Sequence, residues 1–155
     1  GLTEIGTGKA GYLFGSSSTL NSADLDTIGG IEDIVGDNGV DYIVGSANNN
    51  SITGAAGADY INGGDGDDTI IISSAGDGNS DKMHGGLGTD TLTVSANTTV
   101  TTVNADITGI ENITVTGTTA LVLTGQDDDF VITASAAGVQ QITGGSGDDT
   151  LRGGC

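Results

Sequence analysis

A nine-residue repeat constrains this chain more than any other feature. From Gly36 to Thr93 it reads GDNGVDYIV, GSANNNSIT, GAAGADYIN and GGDGDDTII without a gap, then AGDGNSDKMH with one extra residue, then GGLGTDTLT. A short fixed period decides architecture before local propensity does, because one unit cannot bury its apolar residue except against further copies of itself. The eighth position is always aliphatic or Met: Ile43, Ile52, Ile61, Ile70, Met83 and Leu92. The sixth is Asp41, Asp59, Asp68, Asp81 and Asp90, with Asn50 the exception. Strand side chains alternate between faces, so position eight is expected inside and positions seven and nine outside. The fold class that follows is all-β, a solenoid whose Gly-rich turns alternate with strands of about three residues.

Composition agrees with a solenoid and excludes several functions. Glycine supplies 29 of 155 residues and proline none, against an average near 7% for glycine. Abundant glycine often marks disorder, but here it is periodic and interleaved with Ile, Val and Thr runs, which points to turns between short strands. Three basic residues against 21 acidic ones leave a net charge of −18. That field repels phosphates and anionic lipid, so neither nucleic acid nor membrane insertion is expected, and it attracts cations. No run of about 18 apolar residues is present to span a bilayer.

Three units, Gly63–Ile71, Gly85–Thr93 and Gly144–Arg152, match GGxGxDxUx at every defined position. The chain thereby resembles the RTX proteins, whose nonapeptides bind calcium. The resemblance implies a right-handed parallel β-roll or β-helix solenoid with several calcium ions held between stacked turns, each unit stacking on the unit two places away. One edge would then carry Asp41, Asp59 and Asp81 and the other Asn50, Asp68 and Asp90, with Tyr42 stacking outwardly on Tyr60. It extends the metal-ligand set to the turn residues Ala56, Ala58, Gly63, Asp65, Asp67, Asp77, Asn79, Leu87 and Thr89, and to Asp149.

The chemistry of the motif supports that expectation. Calcium takes six to eight oxygens in flexible geometry, and glycine lets a turn aim several carbonyls at one point. Two carboxylates about 4 Å apart repel by roughly 4 kcal/mol at an effective dielectric near 20. One buried aliphatic per unit is too little to offset the ordering of nine residues. The block from 36 to 93 is therefore expected to be largely unfolded without calcium and to fold on binding it.

The remaining segments read as one continuous solenoid. Residues 1–35 form an irregular opening coil, in which Tyr12, Leu13 and Phe14 are candidates to cover the first turn. Residues 94–134 replace the nonapeptide with longer Thr/Val-rich coils, and ITGIENITV at Ile107–Val115 echoes TIGGIEDIV at Thr27–Val35. TGQDDDFVI at Thr124–Ile132 places Asp127 and Asp129 before an apolar pair, either as a degenerate calcium turn or as a solvated acidic one. Residues 135–155 return to the nine-residue frame, with Gln140 in place of Asp in SAAGVQQIT and a last site at Asp149 that is expected to be half built. The chain opens at Gly1 without a leader pattern, and Gly153 and Gly154 begin a further nonapeptide that is not completed, so it reads as an excerpt. Its one cysteine, Cys155, can form no internal disulfide.

No catalytic constellation is visible, and an enzyme is not expected. His84 is the sole histidine and falls at an outward position; Ser and Thr have no histidine base. The RTX resemblance implies a secreted or cell-surface bacterial protein exported by a type I system. The mixture of nonapeptides with phrases such as GIENITVTG looks most like surface-layer proteins and large adhesins, with self-assembly into a lattice or filament expected. The alternative is the calcium-binding secretion tail of a protease or lipase. A carbohydrate- or ice-binding solenoid would need a flat, regular threonine face, and the run at Thr98–Thr102 is too irregular to supply one.

Overall fold

A computed structural model describes residues 11–12, 32–36, 38–73, 80–95, 99–103, 107–116, 120–124, 128–134, 141–143 and 145–153. Its strands follow the repeat. In chain order they are β1 (Gly11–Tyr12), β2 (Asp33–Val35), β3 (Tyr42–Val44), β4 (Ser51–Thr53), β5 (Tyr60–Asp65), β6 (Thr69–Ile72), β7 (Lys82–Leu87) and β8 (Thr91–Val94). Then come β9 (Thr99–Val103), β10 (Ile107–Thr108), β11 (Asn112–Val115), β12 (Ala120–Thr124), β13 (Val131–Ala134), β14 (Gln141–Thr143) and β15 (Thr150–Arg152). The described residues contain no helix, hence none long and apolar enough to cross a membrane.

All pairing among the described strands is parallel, and within residues 33–94 each strand pairs with the strand two places on. One sheet runs β1-β2-β4-β6-β8-β11-β13-β15, and the opposite side is divided into β3-β5-β7-β10 and β9-β12-β14. This is the parallel β-solenoid expected from the period. Asp33, Ser51, Thr69 and Thr91 are successive partners on the long sheet, and Tyr42, Tyr60 and Lys82 on the short one. The coil length changes along the stack: Tyr42 to Tyr60 spans 18 residues and Tyr60 to Lys82 spans 22, because residues 72–74 and the extra residue of AGDGNSDKMH add four to two nonapeptides. Beyond Val94 the coils stay long, with Thr91 pairing with Asn112.

The core is one cluster, built of stacked columns that face each other between the sheets. All six eighth-position side chains are buried, Ile52 and Leu92 completely. Where a strand runs on, position ten also turns inward, and Ile72 and Val94 join the core. Stacking identical positions buries each aliphatic side chain against its counterparts above and below. The GIENITV echo is structural as well: Ile34 and Ile113 stand in the same column of the long sheet, both buried.

Outward positions carry the expected ring pair. Tyr42 and Tyr60 stack with centroids 4.6 Å apart and planes inclined by 4°. The outward face of the long sheet presents Ser51 and Thr53 on β4, Thr69 and Ile71 on β6, and Thr91 and Thr93 on β8. It continues with Asn112 and Thr114 on β11 and Val131 and Thr133 on β13. The threonine array on this sheet is assembled by the register from residues far apart in sequence.

Candidate metal centre

Each turn ends at its sixth position, where the chain enters a strand. That position is buried in all six units: Asp41, Asn50, Asp59, Asp68, Asp81 and Asp90 are the buried polar or charged residues among those described, Asp68 and Asp90 at 1% exposure. The two-unit stacking sorts them into two ladders. On one edge the Asp41 N–H donates to Asp59 Oδ1 at 2.9 Å and the Asp59 N–H to Asp81 Oδ1 at 2.9 Å. On the other, the Asn50 N–H donates to Asp68 Oδ1 at 2.7 Å and the Asp68 N–H to Asp90 Oδ1 at 2.8 Å. One carboxylate oxygen therefore clamps the preceding coil.

The second oxygen has a different setting. Oδ2 of Asp59, Asp68 and Asp90 is buried and accepts no hydrogen bond. An anionic oxygen in that state costs several kcal/mol unless a cation or proton reaches it. Burial pushes the Asp68 carboxyl above its ordinary value of 3.8; the Asn50 N–H opposes this, and the Asp90 and Asp67 charges reinforce it. Burial raises Asp90 likewise, opposed by the Asp68 N–H, reinforced by Glu111 and Asp67, and eased by His84.

Glycine at position one lets oxygens converge beside that Oδ2. A Cβ built on Gly36 would lie 2.5 Å from Asp41 Oδ2 and 2.5 Å from the Gly54 carbonyl oxygen. A Cβ at Gly63 would strike Asp68 Oδ2 and the Gly85 carbonyl oxygen. Glycine at position two serves conformation instead: Gly64 has φ 110° and Gly86 φ 122°, and Ala55 occupies the same position at φ 69°. Among the described residues no three His, Cys, Asp or Glu side chains gather as a metal group. A cation here would draw on one or two carboxylates and otherwise on carbonyl oxygens, the donor set of a hard ion such as calcium.

The other sequence candidates are distributed as follows. Gly63 is buried in the cradle just described, and Ala56 is partly buried. Ala58, Asp65, Asp67, Leu87 and Thr89 are exposed. Asp67 Oδ1 accepts the Thr89 N–H at 2.9 Å, and its own N–H donates to Asn49 Oδ1 at 2.9 Å, a surface ladder parallel to the buried one. The Leu87 carbonyl already accepts the Gly66 N–H at 2.8 Å. Asn50 Oδ1 accepts the Ser46 N–H of its own turn at 2.7 Å. Asp149 Oδ1 accepts the Phe130 N–H at 3.1 Å, so the neighbour below it in the column is a buried phenyl ring and not a carboxylate. In that same coil Asp129 is exposed and its Oδ1 accepts the Asp148 N–H at 2.7 Å. His84 is half-buried, its Nδ1 2.7 Å from Thr108 Oγ1. Asp77, Asn79, Asp127, Gln140, Leu13, Phe14, Thr98 and Cys155 lie outside the described residues.

A family model described as the RTX calcium-binding nonapeptide repeat, in four copies, matches residues 35–70, 75–93 and 136–154. The chain carries RTX calcium-binding repeats. RTX repeats bind calcium ions, and the buried, unpartnered oxygens of Asp68 and Asp90 beside glycine-lined carbonyls fit that ion. An RTX β-roll is itself a structural calcium-binding module and not a catalytic one. No curated protein and no solved structure matches the chain.

Two contributors escaped sequence reasoning. Asn49 extends the surface ladder from a unit that departs most from the motif, and its only signal is position five of that unit. Glu111 Oε2 accepts the Asp90 N–H at 2.7 Å from outside the nonapeptide block. The phrase GIEN held the clue, since Glu111 immediately precedes a strand, as every sixth-position residue does.

Proposed function

We propose that this chain is a calcium-folded structural module of a secreted or cell-surface protein, of the surface-layer or adhesin kind, with ions held along the two ladders. The ligating set is Asp41, Asp59 and Asp81 on one edge and Asn50, Asp68 and Asp90 on the other, completed by turn carbonyls and with a further site at Asp149. The observation that carries this reading is the unpartnered Oδ2 of Asp68 and Asp90 at 1% exposure. Export through a type I system suits the same physics. A chain that stays unfolded where calcium is scarce threads a channel, then folds outside where the ion is plentiful. Secretion of the chain from a host with and without a type I exporter tests this; export independent of the transporter would contradict it.

The outward threonine face supports adhesion over service to an attached enzyme. None of Ser51, Thr53, Thr69, Ile71, Thr91, Thr93, Asn112, Thr114, Val131 and Thr133 is ionisable, on a chain of net charge −18. Between Asp33 at one end of this sheet and Arg152 at the other, the face is a neutral array of hydroxyl and methyl groups suited to a neutral hydroxylated ligand such as carbohydrate. Glycan binding that needs calcium and is lost in Thr93→Glu with Thr114→Glu is the expected result. An HExxH or GxSxG motif in the parent protein would favour the enzyme-tail alternative.

A further inference from the structure

We propose that Glu111 and Gly109 complete a calcium site with Asp90, from a coil that carries no nonapeptide; this rests on the calcium reading above. The same arrangement recurs at the first-position glycines Gly36, Gly45 and Gly63. A Cβ at Gly36 would meet the carboxylate of Asp41 and the carbonyl oxygen of Gly54, and one at Gly63 the carboxylate of Asp68 and the carbonyl oxygen of Gly85. At Gly45 the pair is the Asn50 side-chain oxygen and the Gly63 carbonyl. In each case the first glycine of a turn lies between the sixth-position oxygen of its own turn and the first-position carbonyl of the coil stacked upon it.

At Gly85 the pair is Asp90 Oδ2 and the carbonyl oxygen of Gly109. Gly109 belongs to no repeat. Its turn is only Gly109–Ile110–Glu111, half the length of Gly85–Asp90, yet Thr108 pairs with His84 before it and Asn112 with Thr91 after it. The shorter turn omits the middle of the loop and keeps both ends in register. Gly109, at φ 60°, turns the chain. Ile110 fills the space inside the turn at 3% exposure. Glu111, exposed where the sixth-position Asp is buried, takes the same register position, and its Oε2 accepts the Asp90 N–H at 2.7 Å as Asp90 Oδ1 accepts that of Asp68. Asp90 Oδ2, buried and without a hydrogen bond, is aimed into this space. The coil thus supplies the carbonyl and the carboxylate that a nonapeptide would, and Phe130, next in the column, ends the ladder.

Calorimetric calcium titration of the full chain beside Glu111→Gln tests the assignment. The amide keeps an acceptor for the Asp90 N–H and removes only the charge. One ion about tenfold weaker, with the others unchanged, is expected, since ligand charge tunes calcium affinity. A Glu111→Gln isotherm superimposable on the wild type would overturn the assignment and leave Glu111 as a hydrogen-bond acceptor alone. A wild-type chain that takes up no calcium would overturn the calcium reading itself. Glu111→Ala adds a thermal-melt comparison in chelator: a lower midpoint than Glu111→Gln there reports the lost clamp apart from the lost charge.

Discussion

The backbone N–H of Asp68 donates to Oδ1 of Asp90, 22 residues later, at 2.8 Å, and leaves Oδ2 of Asp90 buried without a hydrogen bond. One side chain thereby has two tasks, clamping a coil and presenting charge. Asp90→Asn separates them, because an amide oxygen still accepts the N–H. Calcium affinity is expected to fall about tenfold or more, while any β signal in chelator is not reduced. Asp90→Ala loses the clamp too, orphaning the Asp68 N–H at a cost of about 1–3 kcal/mol. Calcium titration and thermal melts of the two variants check this.

Asn50 is the natural counterpart of that substitution. Its side-chain oxygen accepts the Ser46 N–H, a bond that a carboxylate would keep. Asn50→Asp is therefore expected to raise calcium affinity on its edge, or to add an ion, as measured by calorimetry. In chelator it should lower stability through repulsion with Asp68.

Ala55 is the one described non-glycine residue at positive φ, 69°, at a position where Gly64 and Gly86 stand in the full motif. A left-handed L-residue costs roughly 1–2 kcal/mol, partly offset by the unfolded-state entropy that glycine adds. Ala55→Gly is expected to stabilise the calcium-loaded form by about 1 kcal/mol, read as a higher melting midpoint. Gly86→Ala, at φ 122° and against the Gly64 backbone, should do the reverse and by more.

The fold was legible because its information is periodic. The spacing of Ile43, Ile52, Ile61 and Ile70 set the inward column, and the two-unit stacking placed Tyr42 on Tyr60. Three matters were not legible. Phe130 takes the sixth-position column in the coil after Glu111, which no local pattern shows, since register is fixed by neighbouring coils and not by the segment itself. Glu111 had a local clue in its place before a strand, but its alignment with Asp90 is likewise set by the stacking of coils. The threonine face draws Thr53, Thr93, Thr114 and Thr133 from coils of different lengths, so their alignment exists only after stacking.

The raised carboxyls of Asp68 and Asp90 fix a pH dependence. Below the ordinary value of 3.8 both folded and unfolded chains hold the proton and the penalty vanishes. Between 3.8 and the raised folded value the folded state binds more protons, so metal-free stability falls as pH rises, and above it the full penalty applies. In chelator the chain should hold more β structure at about pH 4 than at about pH 7. With calcium the trend reverses, because protons compete for the same oxygens. Circular dichroism across pH, with and without calcium, separates the two.

The most direct measurement is the far-ultraviolet circular dichroism of the chain at neutral pH as calcium is removed by chelator and restored. A solenoid whose buried carboxylates need the ion loses most of its β signal on removal and regains it on return. A β spectrum unchanged by chelation would contradict it, and Asp59, Asp68 and Asp90 would then be buried charges that the metal-free fold sustains by itself.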